Sequence, residues 1–155
     1  MRKIRYKTRF FYLLTSLILF SACDDGGIVN IKWDRDSCER CRMVISDPHF
    51  AAQLRGGPKN KAYLFDDIGC AVHWLKKQPW GEDENVKIWV KDYRDTEKWL
   101  DARKAYYVSQ QITPMDFGFG ATKKPVKGSI DFETAKTQIM AKTHRHRFGG
   151  LKTTP

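Results

Sequence analysis

The sequence predicts an α+β fold of two small mixed units packed into one compact domain. Three observations carry this. Apolar residues alternate with a period of two in several short runs, two stretches opened by aspartate place apolar residues at helical spacing, and the second half loosely repeats the order of the first. In chain order, RMVIS at 42–46 reads as a short strand, and HFAAQL at 49–54 sets Phe50, Ala52 and Leu54 on one face of the next. Gly56, Gly57, Pro58 and Asn60 mark a turn before the strand KAYLF at 61–65. Asp66 or Asp67 then caps a helix over 68–77, with Ile68, Ala71, Val72 and Leu75 on one stripe and Pro79 beyond its end. VKIWVKDY at 86–93 alternates Val86, Ile88 and Val90 against Lys87, Trp89 and Lys91, as a half-buried strand does. RDTEKWLDARKA at 94–105 fits a short helix or a loop equally. YYVS at 106–109 is strand-like, and the Gly- and Pro-rich stretch 112–128 reads as loops or short strands. Asp131 caps a second helix that turns Phe132, Ala135 and Ile139 inward.

The N-terminus is of a different kind. MRKIRYKTR carries five basic residues and no acid, and an apolar run of about a dozen residues follows, too short to span a bilayer as a helix, which takes about 20. Residues 1–22 therefore read as an export signal. Ser21-Ala22-Cys23 resembles a bacterial lipobox, with Phe20 where leucine is usual, so Cys23 is expected to be the acylated first residue of the mature chain. Asp24 and Asp25 after it fit retention at the inner membrane, facing the periplasm, with each buried acyl methylene contributing about 0.8 kcal/mol. Residues 23–36 read as the lipidated cysteine and a flexible tether, 37–143 as the folded domain with units near 37–93 and 94–143, and 144–155 as a basic disordered tail.

Losing residues 1–22 takes five of the 28 Lys and Arg residues and none of the 18 acids, so the net charge falls from +10 to +5. The remaining basicity is spread along the chain with no arginine-rich helix or aromatic RNA-binding pattern, which argues against a nucleic acid partner. The mature length is enough to build a core without a metal or disulfide staple. With Cys23 acylated, Cys38, Cys41 and Cys70 remain, an odd number for an oxidising compartment, and at least one should be a free or metal-bound thiol.

Cys38-Glu39-Arg40-Cys41-Arg42-Met43 is where chemistry concentrates. If a strand begins near Arg42, Cys41 and Met43 point to one face and Cys38 returns from a short loop, so three sulfurs converge. Thiolate and thioether donors are soft and select Cu(I), and a thioether is not lost to a disulfide. Two rivals stand beside this. Cys70-x-x-His73 with Cys38-x-x-Cys41 supplies four zinc-type ligands, although Cys70 as a buried small residue and His73 as a solvated one explain that pair without metal. A thiol-disulfide protein shares the Cys-x-x-Cys spacing, but there the first cysteine opens a helix, whereas Met43, Val44 and Ile45 favour a strand. A Cys38–Cys41 disulfide is compatible with either metal reading. His144 and His146 in the tail could take Cu(II), or simply be solvated. Asp66 and Asp67 are explained by helix capping, and no serine–histidine arrangement or phosphate loop is present, so no active site is expected.

An ordered set of motifs extends this pattern: the lipobox-like Cys23, Cys38-x-x-Cys41-x-Met43, Phe65-Asp66-Asp67-Ile68-Gly69-Cys70, Val90-Lys91-Asp92-Tyr93, 101–108 (DARKAYYV) and Thr113-Pro114-Met115. In these the chain resembles the NosL family of lipid-anchored accessory proteins for nitrous oxide reductase. The resemblance implies a Cu(I) carrier on the periplasmic side. Such a carrier passes copper towards the catalytic copper centre of that reductase, beside an ABC-type assembly complex, and is not itself an enzyme. It also implies two related ββαβ-like units, and ligands drawn from the cysteine–methionine motif and a distal methionine that maps onto Met115. On this reading Cys41 and Met43, with Cys38 or Met115, hold the ion.

Overall fold

The computed structural model describes residues 26–142. The export signal, Cys23 and the tail from His144 lie outside the described residues. Six strands and two helices follow one another as β1 (Ala52–Gly56), β2 (Lys61–Phe65), α1 (Ile68–Leu75), β3 (Lys87–Asp92), β4 (Asp95–Asp101), β5 (Tyr106–Val108), β6 (Gly120–Thr122) and α2 (Phe132–Ala141). All six strands share one mixed sheet in the order β2-β1-β3-β6-β5, with β4 also paired to β3. The class is α+β. The first half runs strand, strand, helix, strand, while the second supplies three strands before its helix. The β3–β4 turn at the expected unit boundary joins two strands that pair antiparallel with each other, so the halves share a sheet.

Local chemistry explains most elements. The β1–β2 hairpin pairs Ala52 with Phe65 through Gly56 with Lys61, and Gly57, at φ +77°, turns the chain where glycine has no steric cost. Asp67 caps α1 by accepting from the Gly69 N–H at 2.7 Å, and Asp131 caps α2 by accepting from the Thr134 N–H at 2.8 Å. Leu54, Phe65, Val72, Ile88, Val90, Tyr107, Phe132 and Ile139 close the core between helices and sheet. Tyr107 is fully buried and its hydroxyl donates to the Ala102 carbonyl at 2.7 Å, as a buried phenol must.

Three expectations need correction. Residues 42–46 are not a strand: Arg42 sits at φ +65°, in the left-handed region, and only Ser37 and Val44 form an isolated bridge across the loop. Residues 94–105 contain a seven-residue strand, because β3 has an unpaired edge that 95–101 fills, with the Lys91 ammonium 4.6 Å from the centre of the Trp99 ring. Residues 26–36, expected to be a tether, lie against β1. The Gln53 and Arg55 side chains are buried there and need partners, which the segment supplies through the Val29 N–H and C=O and the Gly27 C=O at 2.9, 3.2 and 3.1 Å. The same stretch closes back on residues 44–45, Asp34 N–H donating to the Ile45 carbonyl and Ile45 N–H to the Asp36 carbonyl.

Gly69 decides how closely the loop after β5 approaches α1. A Cβ at this position would meet the Phe117 ring at 2.0 Å, and Phe117 is itself buried. Helix propensity alone would make Gly69→Ala stabilising by about 1 kcal/mol. Overpacking opposes it by about 1–3 kcal/mol and should win. The expected outcome is a lower urea midpoint with an unchanged slope; a raised midpoint would show that Phe117 gives way freely.

Candidate metal centre

The residues 38–43 form a tight hairpin. The Cys38 N–H donates to the Met43 carbonyl at 2.8 Å, the Arg42 N–H donates to the Cys38 carbonyl at 3.0 Å, and the left-handed Arg42 reverses the chain. The Glu39 N–H donates to the Leu64 carbonyl at 2.8 Å, which docks this hairpin on the outer edge of β2. Two residues further along that strand direction the chain reaches Asp66, and the first turn of α1 then brings up Cys70.

Four donors come together here. The Sγ atoms of Cys38, Cys41 and Cys70 and a carboxylate oxygen of Asp66 all lie within 4.8 Å of one another. Cys38, Cys70 and Asp66 are buried, and Cys41 is the half-exposed member. The Cys41 thiol donates to Asp66 Oδ2 at 3.3 Å, and the Arg40 guanidinium donates to the Cys70 sulfur at 3.7 Å while lying 5.7 Å over the Phe117 ring. Asp66 Oδ1 is buried without a hydrogen-bond partner, a costly state for a carboxylate and one that a cation in the cluster would relieve.

The thiols differ electrostatically. A hydrogen bond from the Cys70 thiol brings Cys38 down to about 7, against the opposing effect of burial. Burial pushes Cys41 up to about 12, with Cys38 and Asp66 adding to the rise. The same bond to Cys38, then burial, raises Cys70 well above the ordinary thiol range. The cluster thus loses its first proton from Cys38, while Cys41 and Cys70 keep theirs. Beside them, burial raises the Asp67 carboxyl to about 6 in spite of the opposing pull of Thr113 and of the Gly69 and Met115 N–H groups.

Of the ligands expected from sequence, Cys38 and Cys41 are in the cluster. Met43 closes the hairpin and is 53% exposed, and because Arg42 is left-handed the alternation that would align it with Cys41 does not apply. Met115 is half-buried against the core, on the loop whose backbone faces Asp67. Cys70, considered only for a zinc site or as core, is a full member. His73 is not: its ring faces the Ile139 carbonyl at 3.2 Å and packs 5.3 Å from Phe117, joining α1 to α2. Asp66 was missed. One aspartate suffices to cap a helix, so the second of the pair was the available signal.

A family model described as NosL matches residues 30–120. The chain belongs to the NosL family. The matched span contains all four clustered donors together with Met43 and Met115. Among curated proteins, the chain is 28% identical over 115 residues to 3-O-acetylpapaveroxine carboxylesterase of Papaver somniferum, an alignment covering 67% of this chain and 35% of that protein. This NosL chain thus spans about a third of that relative's length.

Near neutral pH about half of the metal-free molecules should carry a thiolate in the cluster, on Cys38. Its ultraviolet thiolate absorbance should rise with a midpoint near 7, and Cys70→Ala, which removes the donor, should move that midpoint upward. Cys38, held below the free-thiol value of 9.0, contributes stability that is present above 9 and is lost as pH falls through 7. Cys41 and Cys70, held above that value, stay protonated in the folded state and contribute stability that is lost as pH rises beyond 9, so urea unfolding at a series of pH values should show a maximum a little below 9.

Proposed function

We propose that this NosL protein is a lipid-anchored, periplasm-facing carrier that holds Cu(I) and delivers it for maturation of the catalytic copper centre of nitrous oxide reductase, beside an ABC-type assembly complex. The observation that supports it most is the convergence of three thiols from two segments 29 or more residues apart in sequence, around a core that needs no staple. Soft sulfur donors suit a monovalent copper cargo. Cys38 and Cys41 supply thiolates, Cys70 a third sulfur, and Met43 and Met115 are the thioethers through which the ion enters or leaves. Transfer needs an accessible edge, and here it is the half-exposed Cys41 beside the exposed Met43 and Val44. Ile112, 94% exposed one residue before the Thr113 that bears on Asp67, offers a further apolar side chain to a protein acceptor.

A zinc reading has one specific observation in its favour: three sulfurs and the oxygen of Asp66 make a four-donor set of the zinc type, although His73 is not part of it. A thioredoxin-like reading loses its physical basis, since Cys38 and Cys41 lie in a hairpin loop and not at a helix N-terminus.

Anaerobic titration of the reduced protein with Cu(I) and Zn(II) under competing chelators separates the two. The copper reading expects tight one-to-one Cu(I) binding that Cys41→Ala abolishes and that is weakened by replacing Met43 and Met115 with leucine. Tighter Zn(II) than Cu(I) binding, abolished by Cys70→Ala and indifferent to the methionines, would overturn it.

A further inference from the structure

We infer that the end of the molecule formed by the β1–β2 turn and the aromatic cluster beside it rests on the phospholipid bilayer, holding the thiol cluster at the opposite end, turned away from the lipid. The inference rests on the proposed acylation of Cys23 and adds which face meets the membrane.

The tether is the first constraint. Only three residue steps separate Cys23 from Gly26, which at full extension reach about 11 Å. Gly26 is buried against the turn: a Cβ on it would meet the Asn60 side chain at 3.1 Å and that of Arg55 at 3.8 Å. From there the Gly27 carbonyl accepts from Arg55 and Val29 exchanges two hydrogen bonds with Gln53, so the chain is bonded to β1 immediately after the anchor. A lipid on Cys23 therefore cannot let the body tumble freely; the turn end stays next to the bilayer surface.

The surface at that end has interfacial chemistry. The Trp80 ring lies against Gly56 and Gly57, where added Cβ atoms would come within 2.9 and 2.8 Å of it. Trp80 stacks 5.8 Å from Tyr63 and meets Trp74 edge-on at 5.7 Å, Tyr63 lies 4.4 Å from Trp74, and the Lys61 ammonium sits 5.1 Å from the Tyr63 ring. All three rings are half-buried, and Pro58, Lys59, Asn60 and Lys61 around them are exposed. Amphipathic Trp and Tyr rings with lysines alongside are what settles at headgroup level. Among the described residues no helix is long and apolar enough to cross the bilayer, so this end would rest at the interface.

The geometry then fixes where the metal centre points. β2 begins at the turn with Lys61 and runs five residues, about 16 Å, to Phe65, beyond which come Asp66 and the N-terminus of α1 carrying Cys70. Helix α1 runs back towards Trp80. Cys41, Met43 and Ile112 are thereby left on the side open to a protein acceptor.

The test uses the full-length protein, with intact mass showing acylation, in vesicles of phosphatidylethanolamine and phosphatidylglycerol with brominated acyl chains. Tryptophan emission should be quenched, Trp80→Phe should lose most of that quenching, and Trp99→Phe should keep it. Hydrogen exchange, which needs no variant, should show residues 57–61 slowed on vesicles relative to the same acylated protein in micelles of a short-chain detergent, and residues 39–43 unchanged. Acylated protein whose quenching ignores Trp80, or whose protection falls on 39–43, would overturn the orientation alone. Protein without an acyl mass that fails to cosediment with vesicles would overturn the anchor and the orientation together.

Discussion

The hydrogen bond from the Glu39 N–H to the Leu64 carbonyl is the contact on which the rest of the centre depends. It lays the Cys38–Met43 hairpin along the outer edge of β2, an edge that would otherwise present unpaired backbone groups to water or to another chain. The same contact that blunts the edge carries two thiols to within reach of Asp66 and Cys70. Edge protection and assembly of the donor set are one event, and the left-handed Arg42 is the conformational cost of turning the chain tightly enough to achieve it.

The centre is unevenly built. Its protonation is concentrated on Cys41 and Cys70 while Cys38 yields its proton most readily, because a single negative charge is shared by short contacts in a partly desolvated space. A soft monovalent cation replaces the protons of such a set without the strict geometry that a harder ion demands. The burial of Asp66 gives the cluster one oxygen donor in addition, and this is the feature that keeps zinc in contention. Arg40 ties the centre to its surroundings. Its guanidinium bridges the Cys70 sulfur and the Phe117 ring, so the loop after β5, seated on Gly69, belongs to the wall of the site.

The two ends of one hairpin have different surroundings. The tight turn of β1–β2, packed under Trp80, has Gly26 beside it, and the far end of β2 delivers the chain into Asp66 and the capped helix. A rigid, doubly bonded first segment, with Gln53 and Arg55 holding residues 27–29, gives this arrangement a defined direction that a loose linker would not.

Much of this was legible in the chain. The period-two runs, the two Asp caps, Gly57 in the turn and the soft chemistry of Cys38-x-x-Cys41-x-Met43 follow from local sterics and hydrogen bonding, which a sequence states directly. Four things were not. Residues 95–101 are a strand because the edge of β3 needs a partner, although their own residues are neutral on the matter. Residues 26–36 are folded because Gln53 and Arg55 are buried and must be satisfied. Arg42 is left-handed, so the alternation of Cys41 with Met43 never begins. Cys70 and Asp66 join the centre through a contact between segments far apart in sequence. Local rules determine which side chains a residue's neighbours allow it to present; which distant side chains share a few ångströms is decided by packing the whole sheet, and that is where the fourth donor was hidden.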